Sequence, residues 1–248
     1  MRIPVIQGVI DRRILVNYRV DLDVLAATLP KPFRPMAVGD YGIAGICLIR
    51  LKHIRPRFIP SFMSIGSENA AHRIAVEWDD DGERKTGVYI PRRDTSSKLN
   101  GILGGRMFPG VHHQARFVVK ESDDRYVITI DSLDDSVHMH VDGASAVFWR
   151  DDSVFESVDA ASRFFEIGSL GYSPSRTDGE YEGLELRSHN WKVEPMAVTR
   201  VESSFFEDGQ QFPQGSVEFD CALLMRGIDH EWHGRKSICC PAEREVVS

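Results

Sequence analysis

Ten stretches of alternating apolar and polar residues run along the chain with little that is helical between them, and this repetition constrains the fold more than any other feature. They fall at residues 41–54, 72–78, 86–90, 114–120, 125–131, 137–141 and 144–150, then at 181–187, 191–206 and 216–228. Period-two alternation puts every second side chain on one face, as in a half-buried strand. Turn sequences such as Asp80-Asp81-Gly82, Ser122-Asp123-Asp124 and Asp142-Gly143 separate several stretches. They are long enough for hairpins and too short for crossover helices. So many antiparallel strands must close on themselves or be covered, because open edges aggregate. The expected class is α+β, mostly antiparallel β, built as a barrel or barrel-like sandwich.

Three short helices are expected. One covers residues 22–29 behind Asp21 as N-cap and is stopped by Pro30; a second covers 158–167 behind Ser157 and is stopped by Gly168; a third covers 96–103 behind Asp94 or Thr95. No low-complexity linker or repeat divides the chain. Residues 1–240 read as one domain and 241–248 as a polar C-terminal tail.

The net charge of −7 arises from 37 acidic and 30 basic residues spread through the sequence, so no basic face for nucleic acid is visible. No run of about 18 apolar residues is present to span a bilayer. The opening MRIPVIQGVIDRR is charged too early for a secretory signal. A cytoplasmic protein with neither nucleic-acid nor membrane partners is expected. Cys47, Cys221, Cys239 and Cys240 lack the paired spacing of a zinc knuckle, and no dinucleotide, phosphate-loop or Gly-x-Ser-x-Gly motif occurs. The default expectation is reduced thiols and no cofactor.

The segment RILVNYRVDLDVLAATLPKPFRP at residues 13–35 joins a strand, a helix and a proline stop. Its Tyr-Arg-x-Asp-x-Asp, short helix and Leu-Pro-x-Pro resemble the opening of acetoacetate decarboxylase and of an uncharacterised related family, domain of unknown function 2071. PSRTDGEYEGLELRSHNWKVEPM and FPQGSVEFDCALLMRGIDHEW also resemble that second family, so the likeness covers most of the chain. It implies a conical β-barrel with flanking sheet and a few short helices, a pocket for a small organic (keto) acid, and a homo-oligomer by analogy.

The candidate site residues follow from matching family motifs to this sequence. Acetoacetate decarboxylases carry Gly-Arg-Glu followed by an aromatic residue and Pro-Lys-Lys; here Gly105 and Arg106 match, but Met107 replaces the glutamate and His112 and His113 stand near the lysine pair. Imidazole forms no imine, so the Schiff-base amine is missing at that place. A second alignment, through Arg93-Asp94-Thr95-Ser96-Ser97-Lys98-Leu99, makes Lys98 the amine; the competing reading is a solvated surface lysine. Glu68, in Ser67–His72, matches a family glutamate that would orient substrate and manage protons, against an ordinary loop carboxylate. Arg12 or Arg13 stands near a family arginine that would grip the substrate carboxylate, with the register open by one residue. The resemblance thus gives Lys98, Glu68, His112 and His113 as catalytic candidates and Arg12, Arg13 and Arg106 as substrate-binding ones.

Two alternatives come from different classes. A non-catalytic small-molecule binding protein could keep the scaffold after losing the lysines. Independently, His138 and His140 share one face of a strand and, with His112 and His113, could form a metal centre; His-x-His is also an ordinary surface pattern.

Overall fold

The first long strand already contains the plan of the molecule, because both of its faces are buried. In the computed structural model, which describes residues 4–97 and 110–239, β1 spans Ile6–Asp21 and α1 spans Leu22–Thr28. Next come β2 (Arg34–Pro35), β3 (Ala37–Val38), β4 (Tyr41–Pro56), β5 (Ile65–Asp80) and β6 (Glu83–Thr95). After them lie β7 (His113–Ser122), β8 (Arg125–Ser132), β9 (His138–Ser145) and α2 (Val158–Ile167). The chain continues through β10 (Leu170–Pro174), β11 (Glu180–Ser188), β12 (Glu194–Ser203) and β13 (Val217–Cys239).

These strands pair into one mixed sheet that closes on itself twice. One circuit runs β6-β7-β8-β9-β12-β13-β1-β4-β5 and returns to β6; the other runs β6-β10-β11-β13-β1-β4-β5 and returns to β6. Pairing is parallel between β6 and β10 and between β6 and β7, and antiparallel elsewhere. Closure pairs the edges, as the number of strands demands.

The shared strands separate two cores. From β1, Ile14, Val16 and Val20 enter the first core with Ile46 and Leu48 of β4 and Ile128, Ile130, Met139 and Val141 of β8 and β9. Leu15 turns the other way, joining Ile43, Leu51, Leu223 and Ile228 with Phe165 of α2 and Leu184 of β11. Strands buried on both faces read as near-continuous apolar runs, as ILVNY and CALLM do. Each fully buried aliphatic side chain contributes about 1.5–3 kcal/mol.

Most expected elements are present, and the departures have local causes. The turn expected at Asp142-Gly143 is absent: β9 runs through both residues, and Gly143 is needed because a Cβ there would sit 2.7 Å from the Ala197 carbonyl oxygen of β12. The strand expected at 144–150 stops at Ser145, leaving Val147 and Phe148 exposed. Short β10 was not expected, and β12 is shorter than the stretch 191–206. Ser157 caps α2 by accepting from the Ala160 N–H at 3.1 Å, whereas Asp21 precedes α1 without a side-chain capping bond. Asp94 and Thr95 belong to β6 and cap no described helix, and residues 96 and 97 are not helical; residues 98–103 and the tail lie outside the described residues. No helix among the described residues is long and apolar enough to cross a membrane.

Candidate functional site

Arg12 and Arg13 are adjacent on β1, so pleating sends them to opposite faces. Arg12 enters a cluster of paired charges. It donates to Glu68 at 2.6 Å and also to Glu121, while Arg50 donates to the same two carboxylates at 2.6 and 2.9 Å. Burial alone would raise the Glu121 carboxyl, but the bonds and charges of Arg12 and Arg50 hold it below its usual range. Thr95 ends β6 beside this cluster, where Ser96 and Glu68 exchange hydrogen bonds through the Ser96 N–H and the Glu68 N–H.

Arg13 instead lines a cavity of about 130 Å³ inside the second circuit. Its walls are apolar, from Ile49, Leu51, Ile90, Leu184 and Trp232, and two further arginines enter it, Arg73 from β5 and Arg93 from β6. Arg13 Nε donates to Cys47 Sγ at 3.3 Å, and its guanidinium lies 5.8 Å from the Trp191 ring centre. Arg73, 5% exposed, donates to Asn17 Oδ1 and lies 4.6 Å over the Phe165 ring. Arg93 Nε donates to Ser173 Oγ at 2.9 Å.

None of these three arginines meets a carboxylate partner among the described residues, in contrast to Arg12 and Arg50. Arg13 Nη1 and Arg73 Nε are buried with no hydrogen-bond acceptor. Burial pushes Arg73 and Arg93 each down to about 10, so both remain cationic at neutral pH. The one carboxyl that lines the cavity among the described residues, Asp94, is engaged by Arg92 at 2.8 Å; burial pushes it up against that bond. An apolar-walled cavity with cationic donors lacking acceptors is suited to a small anion.

His112 closes this cavity from the start of the segment leading into β7. Its Nδ1–H donates to the Gly110 carbonyl at 3.2 Å, and burial, then the charge of Arg93, push it down to about 3. The imidazole is neutral at pH 7. Gly110 makes the approach possible, with φ at +85° and space that a Cβ would fill 2.6 Å from Ser173 Cβ. Its N–H donates to Glu182 at 2.7 Å, tying the segment to β11.

The other sequence candidates separate from this cavity. Glu68 and Arg12 belong to the paired-charge cluster and do not line it; His113 Nδ1 meets Asp134 at 2.9 Å instead. Lys98 and Arg106 lie outside the described residues, and no lysine lines the cavity among those described. The metal alternative finds no ligand set there either: His138 pairs with Asp131 at 2.7 Å, His140 meets Thr129 at 2.9 Å, and the described residues gather no group of three potential ligands. Arg73 and Asn69 escaped the sequence reading altogether. Their signal was an arginine at an alternate position inside the apolar run AAHRIAV, which ordinary strand patterning disguises. A wider, open cleft of about 370 Å³ lies at Gln7, His53, Arg55 and His230, but Asp229 and Glu231 line it too, so its carboxylates outnumber its arginine.

No family model matches the sequence, and no curated protein matches it. Solved structures do match in three dimensions. An acetoacetate decarboxylase from Legionella pneumophila superposes with a TM-score of 0.59 at 11% identity, covering 94% of this chain and 87% of that one. An acetoacetate decarboxylase-like enzyme from Sphingomonas wittichii RW1 gives 0.59 at 9% identity, covering 97% and 93%. The enduracididine biosynthesis enzyme MppR, complexed with pyruvate, gives 0.58 at 10% identity, covering 96% and 91%. The chain therefore has the acetoacetate decarboxylase-like fold, a mostly-strand mixed sheet with few helices.

Proposed function

We propose that this chain binds a small organic acid, of the keto-acid class, in the arginine-lined cavity. The observation that carries the reading is the imbalance of charge: Arg13, Arg73 and Arg93 enter one apolar-walled space without a carboxylate partner among the described residues. Arg13, rather than Arg12, is the arginine that takes the acid group, together with Arg73. The pyruvate complex of the similarly folded MppR supports the choice of ligand class. In finer terms, the double circuit is read as the conical barrel with flanking sheet, and the chain as a relative of the uncharacterised family named above.

Binding is separable from catalysis. Imine chemistry requires a lysine amine, for which the family resemblance offers Lys98; without it the cavity orients an acid next to the neutral His112. Decarboxylation is therefore the subordinate reading and ligand binding the principal one. The test is a thermal-shift series with pyruvate and acetoacetate on the wild type and Arg13→Met, coupled to an assay for released carbon dioxide. Stabilisation of the wild type that is lost in Arg13→Met supports the reading; equal melting with and without acid defeats it. Borohydride in the presence of acetoacetate decides the chemistry: a covalent mass gain that vanishes in Lys98→Ala establishes an imine, and no gain removes it.

A further inference from the structure

One acid group would leave the cavity far from neutral. Arg13, Arg73 and Arg93 contribute three positive charges, and the lining carboxyl of Asp94 already accepts from Arg92 through both oxygens, at 2.8 and 3.2 Å. A monocarboxylate offsets one of the three. Cations left unpaired among apolar walls are strongly unfavourable, because no counter-charge offsets their lost hydration.

The arginines are also not gathered at one point. Arg13 and Arg73 form one end: Arg13 touches Cys47, Arg73 reaches Asn17, and the charge of Arg13 is among those that lower Arg73. This end holds two buried arginine donors without an acceptor, Arg13 Nη1 and Arg73 Nε. Arg93 stands at another end, held by Ser173 beside Gly110 and His112. Strand register separates Arg13 from Arg93. Arg13 pairs with Ile49, Ile49 with Asn69, and Asn69 with Thr95, two residues beyond Arg93. With strands about 4.8 Å apart, their backbones lie three spacings apart along the sheet.

Size completes the constraint. A water occupies roughly 10–15 Å³ on the scale by which this cavity measures about 130 Å³, giving space for about ten non-hydrogen atoms. A dicarboxylic acid of about four or five carbons has that number of atoms.

We infer that the cavity takes a short dicarboxylic acid, one carboxylate between Arg13 and Arg73 and the other against Arg93. This rests on the acid-binding reading above and narrows its ligand. The experiment is calorimetric titration of the full chain with length-matched pairs, succinate against butyrate and oxaloacetate against 2-oxobutyrate, at one ionic strength. The dicarboxylate of each pair binds at least about 10-fold more tightly, the effect expected of an added charge-assisted hydrogen bond. Arg93→Gln brings the two members of each pair within about threefold, and Arg93→Lys restores part of the gap. Equal affinity within the wild-type pairs overturns the dicarboxylate inference and leaves the acid-binding reading standing. Inorganic phosphate binding as tightly as oxaloacetate also overturns it, in favour of a compact dianion. If none of these anions binds, the inference and the acid-binding reading fall together. The wild-type comparison decides the matter even if an Arg93 variant fails to fold.

Discussion

Arg12 and Arg13 are neighbours in sequence, yet their side chains leave β1 into opposite electrostatic surroundings. On one face Arg12 shares Glu68 and Glu121 with Arg50, and every formal charge in the group meets its opposite. On the other, Arg13 joins Arg73 and Arg93 in a cavity whose lining offers them no carboxylate of their own. The paired cluster has the form of a structural joint between β1, β4, β5 and β7. The unpaired one holds charge that only an occupant can neutralise. Under the acid-binding proposal the same residue type serves stability on one face and recognition on the other, and exchanging a guanidinium for an apolar side chain should separate the two.

The largest expected effect belongs to the joint. Arg12→Met leaves two glutamates to share Arg50 and should lower stability by about 2–4 kcal/mol, less than for a fully buried pair because Glu68 and Glu121 retain some water. Denaturant unfolding measures this. Arg93→Met, by contrast, should change the stability of the unliganded chain by no more than about 1 kcal/mol in either direction, because removing an uncompensated buried charge offsets the lost bond to Ser173. If both variants lose equal stability, the distinction between the faces fails.

Ligand occupancy comes next. An acid present at about 100 times its dissociation constant should add about 2.7 kcal/mol, and so raise the melting temperature by roughly 5–10 °C for a chain of this size. The gain should survive Lys98→Ala and disappear in Arg13→Met. Gly110→Ala should cost about 1–2 kcal/mol and weaken acid binding, since alanine at φ +85° is strained and its Cβ would crowd Ser173. Retained affinity in that variant would mean that the segment at His112 is not part of the recognition surface.

Two further effects are in pH. The folded Glu121 carboxyl is depressed, so its contribution is present above the unfolded glutamate value near 4.3 and is lost as pH falls below it. His112 is depressed to about 3, so the unfolded chain binds the extra proton first and stability declines as pH falls from about 6.5 toward 3. Arg12→Met should flatten the first dependence and His112→Gln the second. Proton NMR of His112 should also show its titration move upward when an acid neutralises Arg93.

Hairpins were readable from the chain because a two-residue turn forces specific backbone angles. Asp81 and Gly82 adopt φ of 51° and 80° between β5 and β6, and Asp123 adopts 49° between β7 and β8, where their sequences call for turns. Asp142-Gly143 carries the same composition for another reason, the close passage of β12, which composition alone does not distinguish. The site was harder to read. Both faces of β1 and β5 are buried, so alternation identifies a strand without telling which core each side chain enters. That is why the arginine at position 12 or 13 stayed open by one residue, and why Arg73 passed as part of an apolar run. His112 was found through the resemblance, and Arg93 drew notice only as a neighbour of Lys98. Glu68 matched a motif position, but its partners Arg12 and Arg50, and the Glu121 that shares them, come from three other strands and become visible only once those strands pair.

A crystal structure of the protein soaked with a saturating short organic acid tests the central claim most directly. The account predicts a carboxylate within about 3.2 Å of Arg13 Nη1 or Arg73 Nε, two arginine donors of this cavity that lack acceptors. An acid seated against Arg12 and Arg50, or in the cleft beside His230, with only water between Arg13, Arg73 and Arg93, would contradict it.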